Sequence, residues 1–164
     1  MTPPAATPPP SPPSAVGFQT AYLGESLDDW RRQAPPGATC RTLTGAPARA
    51  ICAAPPVDLG GHQVARDISY GFVEGRLVRI RFLTSIDAYD RVRARLDGRF
   101  GAPSPITYDA IQINRSVPTP HQRDVWRRGG ALIVLSDPER DGYSLSVTYS
   151  LDAARALPPP PPVT

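Results

Sequence analysis

The chain has 164 residues, a formal net charge of +3 and 22 prolines, and all 18 of its basic residues are arginine. So small a charge argues against a dedicated nucleic-acid-binding protein, because such domains carry a strongly basic surface. No apolar run approaches the roughly 20 residues of a membrane-spanning helix, so no transmembrane segment is predicted. The absence of lysine is typical of a bacterial, GC-rich genome, so a single arginine says little about a site.

Proline runs at both ends set the predicted domain limits. Seven prolines lie in residues 3–13 and five in residues 158–162. Such segments lack backbone donors and carry little apolar surface to bury, which favours extended tails. We therefore predict a Pro-rich tail over residues 1–14, one folded domain over residues 15–156, and a Pro-rich C-terminal tail over residues 157–164.

A short strand over residues 16–23 and a short helix over residues 27–33 open the predicted fold. Ser26 followed by Asp29 forms a capping box at the helix start. Pro35 ends the helix, because proline cannot continue it.

The two cysteines belong to a predicted hairpin. A three-residue loop, Gly45–Pro47, pairs Leu43 with Arg49 and, further out, Cys40 with Cys52. Directly opposed residues have Cβ atoms about 4.5–5.5 Å apart, close to disulfide distance. We predict a disulfide, with two reduced buried thiols as the alternative. A zinc site would need two further ligands.

The predicted compartment follows from that disulfide. Disulfides persist in oxidising compartments, which favours a periplasmic or secreted protein, with a cytoplasmic one as the alternative. The opening MTPPAATPPP has neither a cationic start nor an apolar core, so no signal peptide is predicted.

Residues 68–103 predict a second hairpin that leads into an amphipathic helix. A three-residue loop, Val73–Gly75, with Gly75 in the left-handed conformation, places the apolar residues on one face. The predicted pairs are Phe72 with Arg76, Tyr70 with Val78, Ile68 with Ile80, Ser69 with Arg79, and Asp67 with Arg81. The helix begins at Thr84 or Ser85 and ends at Gly101. Its apolar stripe is Ile86, Tyr89, Val92, Leu96 and Phe100.

The second half of the chain predicts more strands. Residues 106–117 are β-like but flanked by prolines, which indicates an edge strand or a loop. DVWRRGGALIVLS predicts a hairpin that turns at Arg128 and Gly129. In the last strand, a buried face alternates with a polar, uncharged one. The apolar face is Tyr143, Leu145, Val147, Tyr149 and Leu151, and the polar face is Ser144, Ser146, Thr148 and Ser150.

The predicted fold class is α+β, an antiparallel sheet of hairpins packed by two short helices. Because a helix followed by hairpins occurs twice, a degenerate tandem repeat is one interpretation. The other is that hairpins resemble one another for local reasons.

Two segments carry a resemblance to known domains. YLGESLDDWRRQAP, residues 22–35, and RFGAP, residues 99–103, resemble parts of small periplasmic domains built like the β-lactamase inhibitory protein and the SmpA-type outer-membrane assembly lipoproteins. The resemblance implies a noncatalytic protein-binding domain whose sheet presents a concave face. It transfers no functional residue.

No motif predicts a catalytic residue, a metal site or a cofactor. DPERDG, residues 137–142, begins like an EF-hand loop, but Thr148 stands where the loop needs a glutamate, so a polar turn is predicted. His62 and His121 lie in Gly- and Pro-rich connections without further metal ligands.

We therefore predict a noncatalytic accessory subunit of a bacterial envelope or membrane-protein complex, which binds a protein partner by surface complementarity. Peripheral contact with a membrane is compatible with this prediction. The alternative is a cytoplasmic module that binds nucleic acid or another anionic ligand through the arginine-rich residues 76–99. A hydrolase with a dispersed site is the third hypothesis. The partner-binding candidates are Trp126, Arg127, Arg128, Ser144, Ser146, Thr148, Arg91 and Arg95.

Overall fold

A computed structural model describes residues 2–4, 16–113 and 117–161, and describes their side chains except at residues 105–120. It confirms an α+β fold in which an antiparallel sheet is packed by two helices. The helices are α1 Leu27–Gln33 and α2 Tyr89–Phe100, with 3-10 segments at Ile86–Ala88 and Asp152–Ala156. The strands are β1 Gly17–Phe18, β2 Ala21–Tyr22, β3 Thr39–Leu43, β4 Arg49–Ala54, β5 Val57–Gly60, β6 Gln63–Val73, β7 Arg76–Ser85, β8 Ser104–Ile113, β9 Val117–Arg128, β10 Ala131–Asp137 and β11 Ser144–Ser150.

In the described residues the main sheet has nine strands, and eight of them follow the order β3-β4-β6-β7-β11-β10-β9-β8. Strand β5 pairs with β6 outside this path, and β1 pairs with β2 in a separate two-stranded sheet. Strand β8 lies at an edge, so the first of the two alternatives predicted for this segment, an edge strand rather than a loop, is correct. The strands before α2 occupy one half of the sheet and those after α2 the other, and β7 pairs with β11 where the halves meet.

Helix α1 begins at its predicted cap, whereas α2 begins at Tyr89, one 3-10 turn after the predicted start at Thr84 or Ser85. In α1 the Asp29 N–H donates to Ser26 Oγ at 3.0 Å, and the helix has the predicted bounds. The Asp87 N–H donates to Ser85 Oγ at 3.3 Å, which caps the 3-10 turn that leads into α2. Helix α2 ends at Gly101, whose φ of 81° lies in the region that favours glycine.

The cysteine hairpin confirms its predicted register. Leu43 pairs with Arg49, and Cys40 lies opposite Cys52 across β3 and β4. The two cysteines form a disulfide.

The β6–β7 hairpin corrects the predicted register. Val73 pairs with Arg76, so the loop contains only Glu74 and Gly75, with φ values of 50° and 72°. Gly75 has the predicted left-handed conformation, but the three-residue loop is wrong. A two-residue turn with both φ values positive matches the twist of the flanking strands.

A β-bulge at Val78 explains why the apolar pattern misled. Phe72 pairs with Leu77 and Gly71 with Arg79, so Tyr70 lies opposite Ile80 rather than Val78. The Leu77 N–H donates to Glu25 O at 2.9 Å, and Leu77 O accepts from Gly24 N–H at 2.7 Å. These long-range bonds hold Leu77 beside the start of α1. The extra residue in β7 lets both Leu77 and Ile80 face the core.

The two faces of the sheet are covered differently. Helices α1 and α2 pack on the first face, where Trp30 lies 5.0 Å from Tyr70 between ring centroids and Leu96 is buried. The first face carries most of the core, including Ile68, Tyr70, Phe72, Leu77, Ile80, Phe82, Trp126, Ile133, Leu135, Leu145, Val147 and Tyr149. No helix of eight or more described residues covers the second face, which we call the helix-free face.

The C-terminal segment covers part of the helix-free face. Leu157, the first residue of the predicted C-terminal tail, is only 7% exposed and packs against Val73 and Val78. A side chain at Gly71 would meet Leu157 Cδ1 at 2.3 Å, so glycine is needed for this approach. The segment 152–158 therefore closes over the end of the β6–β7 hairpin.

Candidate functional site

A cleft of about 680 Å³ lies between the β9–β10 turn, the end of β11 and the 3-10 segment 152–156. We call it the arginine cleft. Four arginines and one carboxylate line it, a formal balance of +3. The charged lining residues are Arg79, Arg127, Arg128, Arg155 and Asp152, and the apolar ones include Ala131, Leu132, Leu151 and Ala154.

Arg79 enters the cleft from the sheet. Its Nη1 donates to Pro158 O at 2.9 Å, and the side chain is half-buried. Burial lowers the pKa of Arg79, and the neighbouring Arg81 lowers it further. Within the described residues no carboxylate pairs with Arg79, and a partly desolvated cation in such a position is costly. An anion in the cleft would reduce that cost.

Arg127 and Arg128 are exposed on the opposite wall of the cleft. They end β9, because Arg128 pairs with Ala131 across a turn of Gly129 and Gly130. The predicted turn at Arg128 and Gly129 was therefore one residue early. Within the described parts of the chain, neither side chain makes an ion pair, so both guanidinium groups are available to a ligand.

Arg155 completes the cleft from the 3-10 segment. Its Nη2 lies 3.8 Å from Asp152 Oδ1, and both side chains are almost fully exposed. Exposed pairs of this kind contribute about 0–1 kcal/mol, so a bound anion can compete for Arg155.

Trp126 does not belong to this surface, although it was a partner-binding candidate. It is 1% exposed, and its Nε1 donates to Gly101 O at 2.8 Å. Its backbone pairs with Ile133, which places its side chain on the helix-covered face. Trp126 therefore anchors the end of α2 to β9.

The serines of the last strand are likewise engaged within the protein. Ser144 Oγ donates to Asp141 Oδ2 at 2.6 Å, and Ser146 Oγ donates to Glu139 Oε1 at 2.5 Å. Both serines are buried, and Thr148 is half-buried. Because the β10–β11 connection supplies these acceptors, the polar face of β11 is closed at this end.

The network around Asp141 shifts its ionisation. Burial alone raises the pKa of this carboxyl, but bonds from the Ser144 hydroxyl and the Tyr143 and Ser144 N–H groups, with Arg66, outweigh burial. The pKa of Asp141 is lowered overall. The DPERDG segment is thus a polar connection stabilised from within.

Arg91 and Arg95 lie on α2, across the sheet from the arginine cleft. With Arg99 they line a cavity of about 130 Å³ between α2, β5 and the β1–β2 turn. We call it the α2 cavity. The sequence placed these arginines on an exposed helix but gave no sign of the cavity, because its other walls come from distant segments.

A buried polar cluster joins α2 to β9. Asp124, wholly buried, accepts from Tyr89 Oη at 2.6 Å and from Gln122 Nε2 at 2.9 Å, and lies 3.3 Å from Arg93 Nη1. Burial, reinforced by Asp124, raises the pKa of Tyr89 to about 12. The hydrogen-bonded carboxylate of Asp124 and the protonated phenol of Tyr89 therefore anchor α2 to β9.

The two histidines lie apart from each other. His62 lies in the β5–β6 turn with a φ of 64°, and His121 is buried within β9 rather than in a connection. No group of three or more His, Cys, Asp or Glu side chains in the described ranges is arranged to hold a metal ion.

Two residues of the arginine cleft were not among the predicted site residues. Arg79 was expected opposite Ser69, and Arg155 was placed at the end of the folded domain without a role. The end of β9, with two arginines before two glycines, was the available signal. The cleft depends on the return of the C-terminal segment to the sheet, which no local pattern indicates.

Comparisons with models of protein families, with curated proteins and with solved structures found no match. None of the helices in the described residues is both long and apolar enough to cross a membrane. The class that fold and site define is thus an α+β domain with a basic cleft at one end of a helix-free sheet face.

Proposed function

We propose that this protein is a noncatalytic binding domain, an accessory subunit of a bacterial envelope or membrane-protein complex. It binds an acidic segment of a partner protein in the arginine cleft. The observation that carries this proposal is the convergence of four arginines and one carboxylate in a cleft beside the helix-free face.

The cleft suits an acidic polypeptide in both charge and surface. Arg127 and Arg128 provide exposed cations, and Leu132 and Leu151 provide apolar contact between the charges. Arginine binds carboxylates through paired N–H donors, which adds geometry to charge. Complementary charge also raises the association rate with an acidic partner.

Nucleic acid is the less favoured ligand. Arg79 and Arg81 lie on β7, whereas Arg91 and Arg95 lie on α2 across the sheet, so residues 76–99 do not form one basic surface. Single-stranded nucleic acid also stacks its bases on aromatic side chains beside the cations. The described lining of the arginine cleft contains none.

The disulfide supports an extracytoplasmic location as part of this proposal. Cys40 and Cys52 are bonded across a hairpin, and such bonds persist in oxidising compartments. Alkylation of native material followed by mass spectrometry tests this location. Cysteines that the disulfide protects from alkylation support this location, and two alkylated cysteines would contradict it.

A tandem duplication is also part of the proposal. One half contains α1 with β3, β4, β6 and β7, and the other contains α2 with β8 to β11. The strand order is the same when each half is read from its outer edge to the centre of the sheet. This correspondence supports two copies of a helix and four antiparallel strands, joined at β7 and β11.

Binding of an oligoglutamate peptide to the full chain tests the proposed cleft. We expect binding that weakens as salt rises, because exposed charges are screened. The double variant Arg127→Gln/Arg128→Gln should weaken it by about five- to tenfold, since each exposed pair contributes up to about 1 kcal/mol.

Arg31→Gln/Arg32→Gln is the matched control. It removes two exposed arginines from α1 and leaves the cleft intact. Equal loss in both double variants would reduce the effect to net charge and contradict a specific cleft. Tighter binding of a single-stranded oligonucleotide than of the peptide would favour the nucleic-acid alternative.

A further inference from the structure

The α2 cavity lies on the helix-covered face, away from the arginine cleft. Apolar side chains from four parts of the chain line its volume of about 130 Å³. The apolar walls are Phe18, Leu59, Phe82, Val92 and Leu96. An engineered apolar cavity of about 150 Å³ in another protein binds benzene, so this volume suits one aromatic ring.

Aromatic walls favour a ring over a flexible chain. Phe18 and Phe82 stack with centroids 4.5 Å apart, and Tyr149 lines the cavity from the sheet. Aromatic pairs gain free energy beyond the burial of their surface, because ring edges and faces attract one another. A planar ring entering beside these three residues would extend an existing cluster.

The charged lining of the cavity is entirely cationic. Arg91, Arg95 and Arg99 follow one another at four-residue spacing along α2, and no described carboxylate lines the cavity. Arg91 is already engaged, because its Nη1 donates to Gly60 O at 2.9 Å. A side chain at Gly61 would collide with that guanidinium group, so Arg91 is closely packed under the β5–β6 turn.

Arg95 differs from Arg91. It is exposed and makes no hydrogen bond or ion pair within the described parts of the chain. Tyr149 is its neighbour across the cavity, and burial raises the pKa of Tyr149 to about 12 despite Arg99 and Arg95. The phenol therefore stays protonated at neutral pH and can donate to an anion.

We propose that the α2 cavity binds a small aromatic carboxylate, with its ring among Phe18, Phe82 and Tyr149 and its carboxylate on Arg95. Arg91 holds the β5–β6 turn in place as the roof of the site. The site is separate from the arginine cleft and does not depend on the function proposed for it.

Titration of the full chain with benzoate, monitored through the NMR shifts of the backbone amides, tests the proposal. We expect shifts around Phe18, Phe82 and the middle of α2, and weaker binding of toluene. Arg95→Gln should weaken benzoate binding about tenfold, because a charge-assisted bond is lost. Val92→Phe should abolish binding by filling the cavity, and its unchanged spectrum elsewhere would show that the fold is intact.

Arg128→Gln is the matched control, since it removes an exposed arginine on the cleft side of the sheet. Unchanged benzoate affinity in this variant supports the α2 cavity. Loss in Arg128→Gln but not in Arg95→Gln would place benzoate in the arginine cleft and overturn the proposal. Equal affinities for toluene and benzoate, or no shifts with benzoate, would also overturn it.

Discussion

Charged groups on the two faces of the sheet differ in the partners that surround them. On the helix-covered face, the buried Asp124 accepts hydrogen bonds from Tyr89 and Gln122 and forms an ion pair with Arg93. On the helix-free face, Arg79 is half-buried and donates to the backbone carbonyl of Pro158, and burial lowers its pKa. The first arrangement stabilises the fold, whereas the second leaves charge that a partner can neutralise.

Two leucines of β10 give the strongest test of this difference. Leu135 is fully buried on the helix-covered face, and Leu132 is half-buried on the helix-free face. Leu135→Ala should lower the free energy of unfolding by about 3–4 kcal/mol, because it leaves a cavity in the core. Leu132→Ala should lower it by about 1 kcal/mol. Urea denaturation measures both, and equal losses would contradict the assignment of the faces.

The disulfide should have the next largest effect. Cys52 is fully buried and Cys40 is exposed at the β3 edge, so the bond ties an outer strand to the core. Cys40→Ala/Cys52→Ala should lower the free energy of unfolding by about 2–3 kcal/mol, as expected for a short closed loop. Reductant should destabilise the original protein by a similar amount and leave the double variant unchanged. If reductant also destabilised the double variant, the loss of stability could not be attributed to the disulfide.

Local rules predicted the elements whose determinants are adjacent in sequence. Ser26 and Asp29 fixed the start of α1, and the Gly45–Pro47 loop fixed the pairing of Cys40 with Cys52. Both depend on contacts within a few residues. Turn length and capping chemistry were therefore sufficient.

The β6–β7 register depended on a distant segment. Leu77 and Ile80 both face the core, which regular alternation forbids, and the Val78 bulge reconciles them. The bonds of Leu77 with Gly24 and Glu25 favour this arrangement, and they involve residues about fifty positions earlier. No pattern within the hairpin reveals them.

The candidate site could be predicted only in part. Arg127 and Arg128 line the cleft, but placing the turn at Gly129 and Gly130 would also have put Trp126 on the same face as Ile133. The buried serines of β11 could not be anticipated, since their acceptors come from the β10–β11 connection. Alternation predicts which residues share a face and leaves open what covers that face.

Gly71 sharpens the comparison where the C-terminal segment covers the helix-free face. Gly71→Ala should displace Leu157, since the new Cβ would lie 2.3 Å from Leu157 Cδ1. We expect a loss of about 1–2 kcal/mol in the free energy of unfolding and faster hydrogen exchange around residues 152–158. Gly98→Ala is the control, because nothing lies within 4 Å of that position in α2. It should stabilise by about 0.5–1 kcal/mol, and destabilisation by both variants would contradict a specific contact at Gly71.

Asp141 gives the smallest expected effect and a test by pH. Its pKa is lowered because bonds from Ser144 and Tyr143, with Arg66, outweigh the burial that raises it. A carboxyl with a lowered folded pKa contributes stability above its unfolded pKa, and this contribution is lost as pH falls through the folded pKa. Asp141→Asn should therefore cost about 1 kcal/mol at neutral pH and progressively less on acidification. Urea denaturation of both proteins at neutral pH and at successively lower pH values measures the difference in the free energy of unfolding.

Asp28→Asn is the matched control for Asp141. Asp28 is 86% exposed and lies 3.9 Å from Arg31, so its replacement should change stability little at any pH. If the cost of Asp141→Asn stays constant on acidification, the lost contact does not depend on the carboxylate charge. The closed end of β11 would then not need an ionised carboxyl at Asp141, because a neutral side chain there can also accept the bond from Ser144.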